Sequence, residues 1–361
     1  MKVHVPRKNL ADSLSHVERI IPNRSSNPGL SLMRIALADK TMTLSGSNLD
    51  IDIEAKMGAD TTGEGYFALP AQVFAQVVRA LPGELVELEF KENEVDISSG
   101  SYATKLQLAE VGNAVSLEFP SDYQGSLPAS ELATALSHAR YAAAVAEYQA
   151  IFRGVKLELS DRKTRTVATD GFRLAYYNLE QASGLEGEAV LPARSVDELT
   201  KLLGDGEAQL ALADGQLSIA NNGIRTNLKL MEGTFPDYER VIPSTFPVSI
   251  SLEAHALAEA VSRVAVMADK TANNRVDLFI KGGTLQITAE GGYGRSQEAL
   301  QVSQEGTDPE IVLAYNAKYL GDALAPVTGE VRLSFSGTTT PSVMSSMKDP
   351  NYLAMIVPLR L

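Results

Sequence analysis

Apolar positions along the chain recur in two rhythms. At i, i+4 and i+7 they mark one helical face: Leu10, Leu14 and Val17; Leu132, Leu136 and Ala139; Leu257, Val261 and Val264. A second set of helical stretches carries Val73, Val77 and Leu81; Val196, Leu199 and Leu203; and Tyr319 and Leu324. The spacing predicts helices over 7–24, 70–81, 128–141, 192–203, 253–270 and 315–326. Between them lie short alternating runs, Thr41–Leu44, Val86–Phe90, Leu217–Ala220, Leu285–Thr288 and Val331–Phe335. Alternation of this kind predicts half-buried strands, separated by turns such as Ala213-Asp214-Gly215-Gln216.

These elements repeat. Leu69-Pro70-Ala71, Leu191-Pro192-Ala193 and Leu313-Ala314-Tyr315 each open a second helix, and their leucines stand 122 residues apart both times. Leu14-Ser15-His16 and Leu136-Ser137-His138 keep the same offset, and Ser47-Asn48, Thr169-Asp170 and Glu290-Gly291 fall at nearly one phase. A fixed period means a repeated structural unit. The 361 residues read as three α+β domains, 1–122, 123–243 and 244–361, each with two helices on one side of antiparallel sheet and roughly eight strands. Pro120–Gly125 and Pro243–Pro247 are the expected links.

Composition then narrows the chemistry. There is no cysteine, which removes disulfides, thiolate nucleophiles and cysteine metal sites. No apolar run is long enough to span a bilayer, and the N-terminal residues lack a hydrophobic signal core, so a cytoplasmic protein with no membrane partner is expected. The four histidines are scattered, and no Gly-Lys pair exists to build a phosphate loop. Gly291-Gly292-Tyr293-Gly294 reads as a turn. Ser345-Ser346-Met347-Lys348 lacks the companion motifs of acyl-transfer enzymes. No catalytic constellation, metal site or cofactor site is expected. Two other function classes are open: an enzyme with a carboxylate site at Asp50 and Asp52, and a protein-only scaffold.

Three apolar-basic segments remain: Ala168-Thr169-Asp170-Gly171-Phe172-Arg173-Leu174-Ala175, Phe235-Pro236-Asp237-Tyr238-Glu239-Arg240-Val241-Ile242-Pro243, and the terminal Met355-Ile356-Val357-Pro358-Leu359-Arg360-Leu361. With these motifs, in this order and over this length, the chain resembles the beta subunit of bacterial DNA polymerase III, the sliding clamp family. The resemblance implies the DNA clamp fold and a homodimer whose six domains close into a ring around double-stranded DNA. The function implied is non-enzymatic: a processivity subunit of the polymerase holoenzyme, loaded by a separate clamp loader. It would tether the DNA polymerase III alpha subunit and other proteins carrying Leu/Phe-rich motifs.

The same resemblance implies where partners bind. A peptide groove would be lined by Phe152, Thr169, Gly171, Phe172, Arg173, Leu174, Pro236, Arg240, Val241, Met355, Val357, Pro358, Leu359 and Arg360. Apolar walls would accept Leu and Phe anchors while arginines orient the polar part. Phe172 stands where relatives commonly carry His or Tyr. DNA contacts would come from Arg24, Arg79, Gln149, Lys201 and Arg263, with Gln149 replacing a frequent arginine. The dimer edge would join the strand containing Thr104, Leu106 and Leu108 to Val266 and Met267 of the second copy. Ser101 and Ala103 replace frequent basic residues there, so interfacial ion pairs are expected to be fewer or rearranged.

The net charge of −13 argues against bulk electrostatic attraction to DNA. The six predicted helical stretches nevertheless hold 11 basic and 9 acidic residues. That polarity suits a mildly positive bore, where weak phosphate contacts permit sliding.

Overall fold

The computed structural model describes every residue except 39, 146–149, 161, 308–309 and 361, so Gln149 lies outside the described residues. Six α-helices occur among them: α1 (Arg7–Glu18), α2 (Ala71–Ala80), α3 (Ala129–Arg140), α4 (Ala193–Leu202), α5 (Ala254–Ala265) and α6 (Ala317–Leu324). Each sits within a stretch that the apolar period marks, with trimmed ends. Helix α1 stops at Glu18 because Pro22 disfavours helical geometry just before it, and the chain turns with Ile21 N donating to Glu18 O.

The Leu-Pro-Ala signature has a simple basis. Leu69 and Leu191 are the penultimate residues of strands that end at Pro70 and Pro192, and a helix begins at the next residue. Proline has no N–H with which to continue the ladder. The third repeat has Ala314 and Tyr315 there, and both stay paired, to Asp277 and Val276. Helix α6 therefore starts later than the repeat phase predicts, after Asn316, whose Oδ1 accepts from Lys318 N at 2.9 Å.

The chain packs as two compact units. The first comprises Met1–Ala133, Ser183–Leu185 and Asp197–Leu230. It holds a five-stranded sheet ending at Tyr102–Gln107 and an eight-stranded sheet in which Ile51–Gly58 pairs with Ile224–Lys229. Helix α1 lies on strands Thr41–Ser47 and Ile51–Gly58 and against α2. Gly46 permits this close approach, since a Cβ there would fall 2.5 Å from Ile21 Cδ1.

The second unit comprises Thr134–Ala182, Glu186–Val196 and Met231–Leu361. It holds a nine-stranded sheet in which Arg173–Leu179 pairs with Tyr352–Ile356, and a four-stranded sheet ending at Gly294–Gln301. Helix α5 packs on Thr284–Gly291, on Gly294–Gln301 and against α6. The Gly291–Gly294 segment is the hairpin turn between those two strands, with Gly291 opposite Gly294. All described strand pairings shown at these junctions are antiparallel.

The central repeat is thus divided. Its strands Glu207–Lys229 extend the sheet of the first repeat, and its strands Gly154–Leu179 extend that of the third.

Candidate partner groove and nucleic-acid surface

All described groove residues named above fall in the second unit, around one turn. Between strands Thr164–Thr169 and Arg173–Leu179, Thr169 Oγ1 donates to Arg173 O at 2.7 Å and accepts from Gly171 N at 3.1 Å. Asp170 Oδ1 accepts from Phe172 N at 2.9 Å and Arg173 N at 3.0 Å. Gly171 takes φ +89°, a left-handed conformation that costs glycine little. The turn so closed pushes Phe172 outward, 55% exposed.

Arg173 points the other way. It is only 6% exposed, with Nε 3.0 Å from Asp170 Oδ2 and Nη1 2.6 Å from Asp322 Oδ2 on α6. Its guanidinium carbon lies 4.3 Å from the Tyr319 ring centroid and 5.6 Å from that of Tyr141. Both of these bonds run to carboxylates inside the protein. Arg240, by contrast, projects into solvent beside Asp237, Nε to Oδ2 2.6 Å.

Beneath the turn, Val167, Leu174, Val190, Phe235, Tyr238 and Met355 form one buried cluster, flanked by Ile151, Tyr176, Met231 and Ile242. Phe152 is half-buried in the short turn Ala150–Arg153, next to Ile151. Pro236 is half-buried and Val241 is 52% exposed, so the Phe235–Val241 segment sends its two aromatic rings inward and keeps Arg240 and Val241 outside. The chain end is docked. Leu174 stands opposite Met355, Val357 N donates to Phe172 O at 2.9 Å, and Leu359 N donates to Ala314 O at 2.7 Å. Pro358 is buried, and Arg360 O accepts from Arg275 Nη1 at 3.0 Å. Three hydrogen bonds thus tie residues 357–360 to the body of the protein.

The four described residues suggested for DNA are exposed, and three of them are ion-paired. Arg24 stands on the loop after α1. Arg79 of α2 pairs with Glu18, and Lys201 of α4 with Glu198 at 2.8 Å. Arg263 of α5 reaches Glu298 at 2.7 Å and Glu259 at 3.2 Å. Pairs whose cation is this exposed add little to stability, so a phosphate can compete for the cation. Thr104 and Leu106 are half-buried on Tyr102–Gln107, and Leu108 is half-buried just beyond. Val266 is 76% exposed beyond α5, with Met267 half-buried beside it.

Family models match the chain almost end to end: DNA polymerase III beta subunit, N-terminal domain over residues 1–114, central domain over 126–237 and C-terminal domain over 239–360. The chain belongs to the DNA polymerase III beta subunit family. Its three α+β domains are beta-clamp domains. Among curated members it is similar to the beta sliding clamp of Haemophilus influenzae (26% identical) and of Proteus mirabilis (27%), each over 100% of both chains. Among solved structures it superposes on the beta subunit from Thermotoga maritima, with TM-score 0.91 and 27% identity over 100% of this chain and 99% of that one. It also superposes on the beta subunit from Streptococcus pyogenes, with TM-score 0.95 and 23% identity over 100% of both.

Motif reasoning missed the residues that pack around Arg173 and Tyr238. Tyr141, Tyr319 and Asp322 have no local signature, and Arg165 and Glu158 look like polar positions of ordinary alternating strands. No helix among the described residues is long and apolar enough to cross a membrane.

Proposed function

We propose that this family member works as a ring of two copies closed around duplex DNA, with domains at 1–122, 123–243 and 244–361, holding DNA by topology rather than by tight contacts. One observation about strand edges carries the reading. Ile51–Gly58, Arg173–Leu179 and Gly294–Gln301 occupy one repeat phase; Tyr102–Gln107, Ile224–Lys229 and Tyr352–Ile356 occupy another. Two members of the first set are already paired with members of the second, Ile51–Gly58 with Ile224–Lys229 and Arg173–Leu179 with Tyr352–Ile356. The remaining two, Gly294–Gln301 and Tyr102–Gln107, are both sheet edges. Repeating the same junction between two copies pairs each free edge and closes the assembly.

On this reading the chain catalyses nothing itself. An ATP-driven clamp loader opens the ring onto DNA at the nucleoid, and Arg24, Arg79, Lys201 and Arg263 supply weak, exchangeable phosphate contacts. The groove around Phe172, Leu174, Val241 and Met355 binds a Leu/Phe-rich segment of the polymerase alpha subunit and of other DNA-processing proteins. Retention on DNA tests the topology. Once loaded, the chain stays on nicked circular duplex and runs off after linearisation; equal retention on both forms excludes encirclement.

A further inference from the structure

We infer that Arg165 is a positioning residue for the partner groove: by clamping Tyr238 it fixes the Phe235–Val241 wall, and so sets peptide affinity without touching the peptide. The inference rests on the groove reading above. Arg165 lies on strand Thr164–Thr169 and is 8% exposed. Its Nη1 donates to the Tyr238 hydroxyl at 2.9 Å and to Glu239 at 2.8 Å, and its Nε donates to Asn178 Oδ1 at 2.7 Å. Its guanidinium carbon sits 4.3 Å from the centre of the Tyr176 ring. The Tyr238 hydroxyl in turn donates to Glu158 Oε2 at 2.9 Å. Glu158 faces Arg165 directly across the adjoining strands. The phenol is therefore held at both its acceptor and its donor.

The second aromatic anchor is tied into the same network. Lys156, nearly buried, pairs with Glu158 at 3.1 Å and Glu188 at 2.8 Å, and lies 5.8 Å from the Phe235 ring centre. Glu158 thus links the cation behind Phe235 to the one behind Tyr238. Behind the wall is an open recess of about 430 Å³, lined in part by Glu158, Lys163, Arg165 and Glu188. Its openness to solvent lowers the cost of holding these charges.

Stability alone is a poor reason for the network, because buried ion pairs are often no better than well-packed apolar residues. Position is a better one. The wall contains a single short turn, Tyr238–Val241, whose Arg240 and Val241 are exposed. What orients that turn is the Tyr238 side chain. A binding surface needs its supporting residues locked to a fraction of an ångström, and a forked, planar guanidinium that both stacks and donates supplies such a lock.

The test uses the full-length dimer and a fluorescently labelled peptide with Leu and Phe anchors. Tyr238→Phe keeps the ring and removes only the shared hydroxyl; Arg165→Met removes the clamp; Arg165→Lys keeps the charge without the fork. Tyr238→Phe and Arg165→Met are expected to weaken binding about tenfold and Arg165→Lys by less. The double variant Arg165→Met/Tyr238→Phe should be no weaker than the worse single one, since both break one link. The mass of Tyr238→Phe in solution stays dimeric. Should Arg165→Met fail to fold, Tyr238→Phe decides alone. Wild-type affinity in the folded variants overturns the positioning role while leaving the groove intact. A wild-type chain that does not bind the peptide overturns the groove reading, and this inference with it.

Discussion

Arg173 Nη1 lies 2.6 Å from Asp322 Oδ2, joining the Thr-Asp-Gly turn of the second repeat to helix α6 of the third. Asp170, Tyr141 and Tyr319 complete the surroundings of the guanidinium. Removing the cation leaves the mostly buried Asp170 carboxylate without its arginine, and leaves Asp322 with Lys318 at 2.7 Å. Arg173→Leu is expected to cost about 3 kcal/mol, lowering the thermal midpoint by about 5–10 °C. Arg173→Leu/Asp322→Leu should recover part of that loss. An unchanged midpoint in the single variant would show that the junction does not depend on this pair.

The docked chain end gives a second prediction. Val357 and Leu359 donate to Phe172 O and Ala314 O, which sets the chain end beside the exposed Phe172 of the proposed groove. Removing residues 357–361 should abolish binding of a Leu/Phe peptide, measured by fluorescence anisotropy, while the dimer persists. Arg240→Ala should weaken the peptide without shifting the thermal midpoint, because its side chain is solvated. Unaltered affinity after truncation would place the peptide elsewhere.

Much of this was legible in the chain because its signals are local. Six apolar stripes mark six helices, and Leu-Pro-Ala marks two strand-to-helix junctions. What escaped is non-local. Nothing around residue 53 announces that Ile51–Gly58 pairs with a strand some 170 residues later, so the division of the central repeat between two units was invisible. Arg173 shows the same limit. In its motif it reads as a surface arginine that could greet a peptide. Its inward direction follows from Asp322, 149 residues away.

The two unpaired edge strands lead to a third prediction. Leu106 is on the Tyr102–Gln107 edge, and Val266 is exposed beside α5, which carries the other edge strand. The chain should have a solution mass near twice 38.7 kDa. Val266→Glu or Leu106→Glu would bring an unpaired carboxylate into each junction of the dimer, costing several kcal/mol per ring. Both variants should sediment as folded monomers at micromolar concentration and lose retention on circular DNA. A stable wild-type monomer, or dimeric variants, would contradict the edge pairing.

A fourth prediction concerns pH. His138 Nδ1 lies 2.8 Å from Thr134 O, which can only accept, so the neutral ring carries its proton on Nδ1. The ring packs edge-on against Tyr177 and Tyr352, with centroids 5.0 and 5.5 Å away. Burial pushes its pKa below the ordinary imidazole value, against smaller opposing contributions from the Thr134 carbonyl and Asp349. His16 is lowered too, first by burial and then by Arg19. The folded chain therefore prefers neutral rings, and the unfolded chain binds protons more readily. Stability from this source is fully present above the unfolded value of about 6.5 and is lost as pH falls below it, until the depressed folded value is passed. The thermal midpoint should drop between pH 7.5 and 5.5, less steeply in His138→Gln and least in His16→Gln/His138→Gln. In ¹⁵N-detected titrations His138 should protonate below the free-imidazole value. A midpoint for His138 at or above that value would mean that the Tyr177–Tyr352 pocket does not exclude the charged ring.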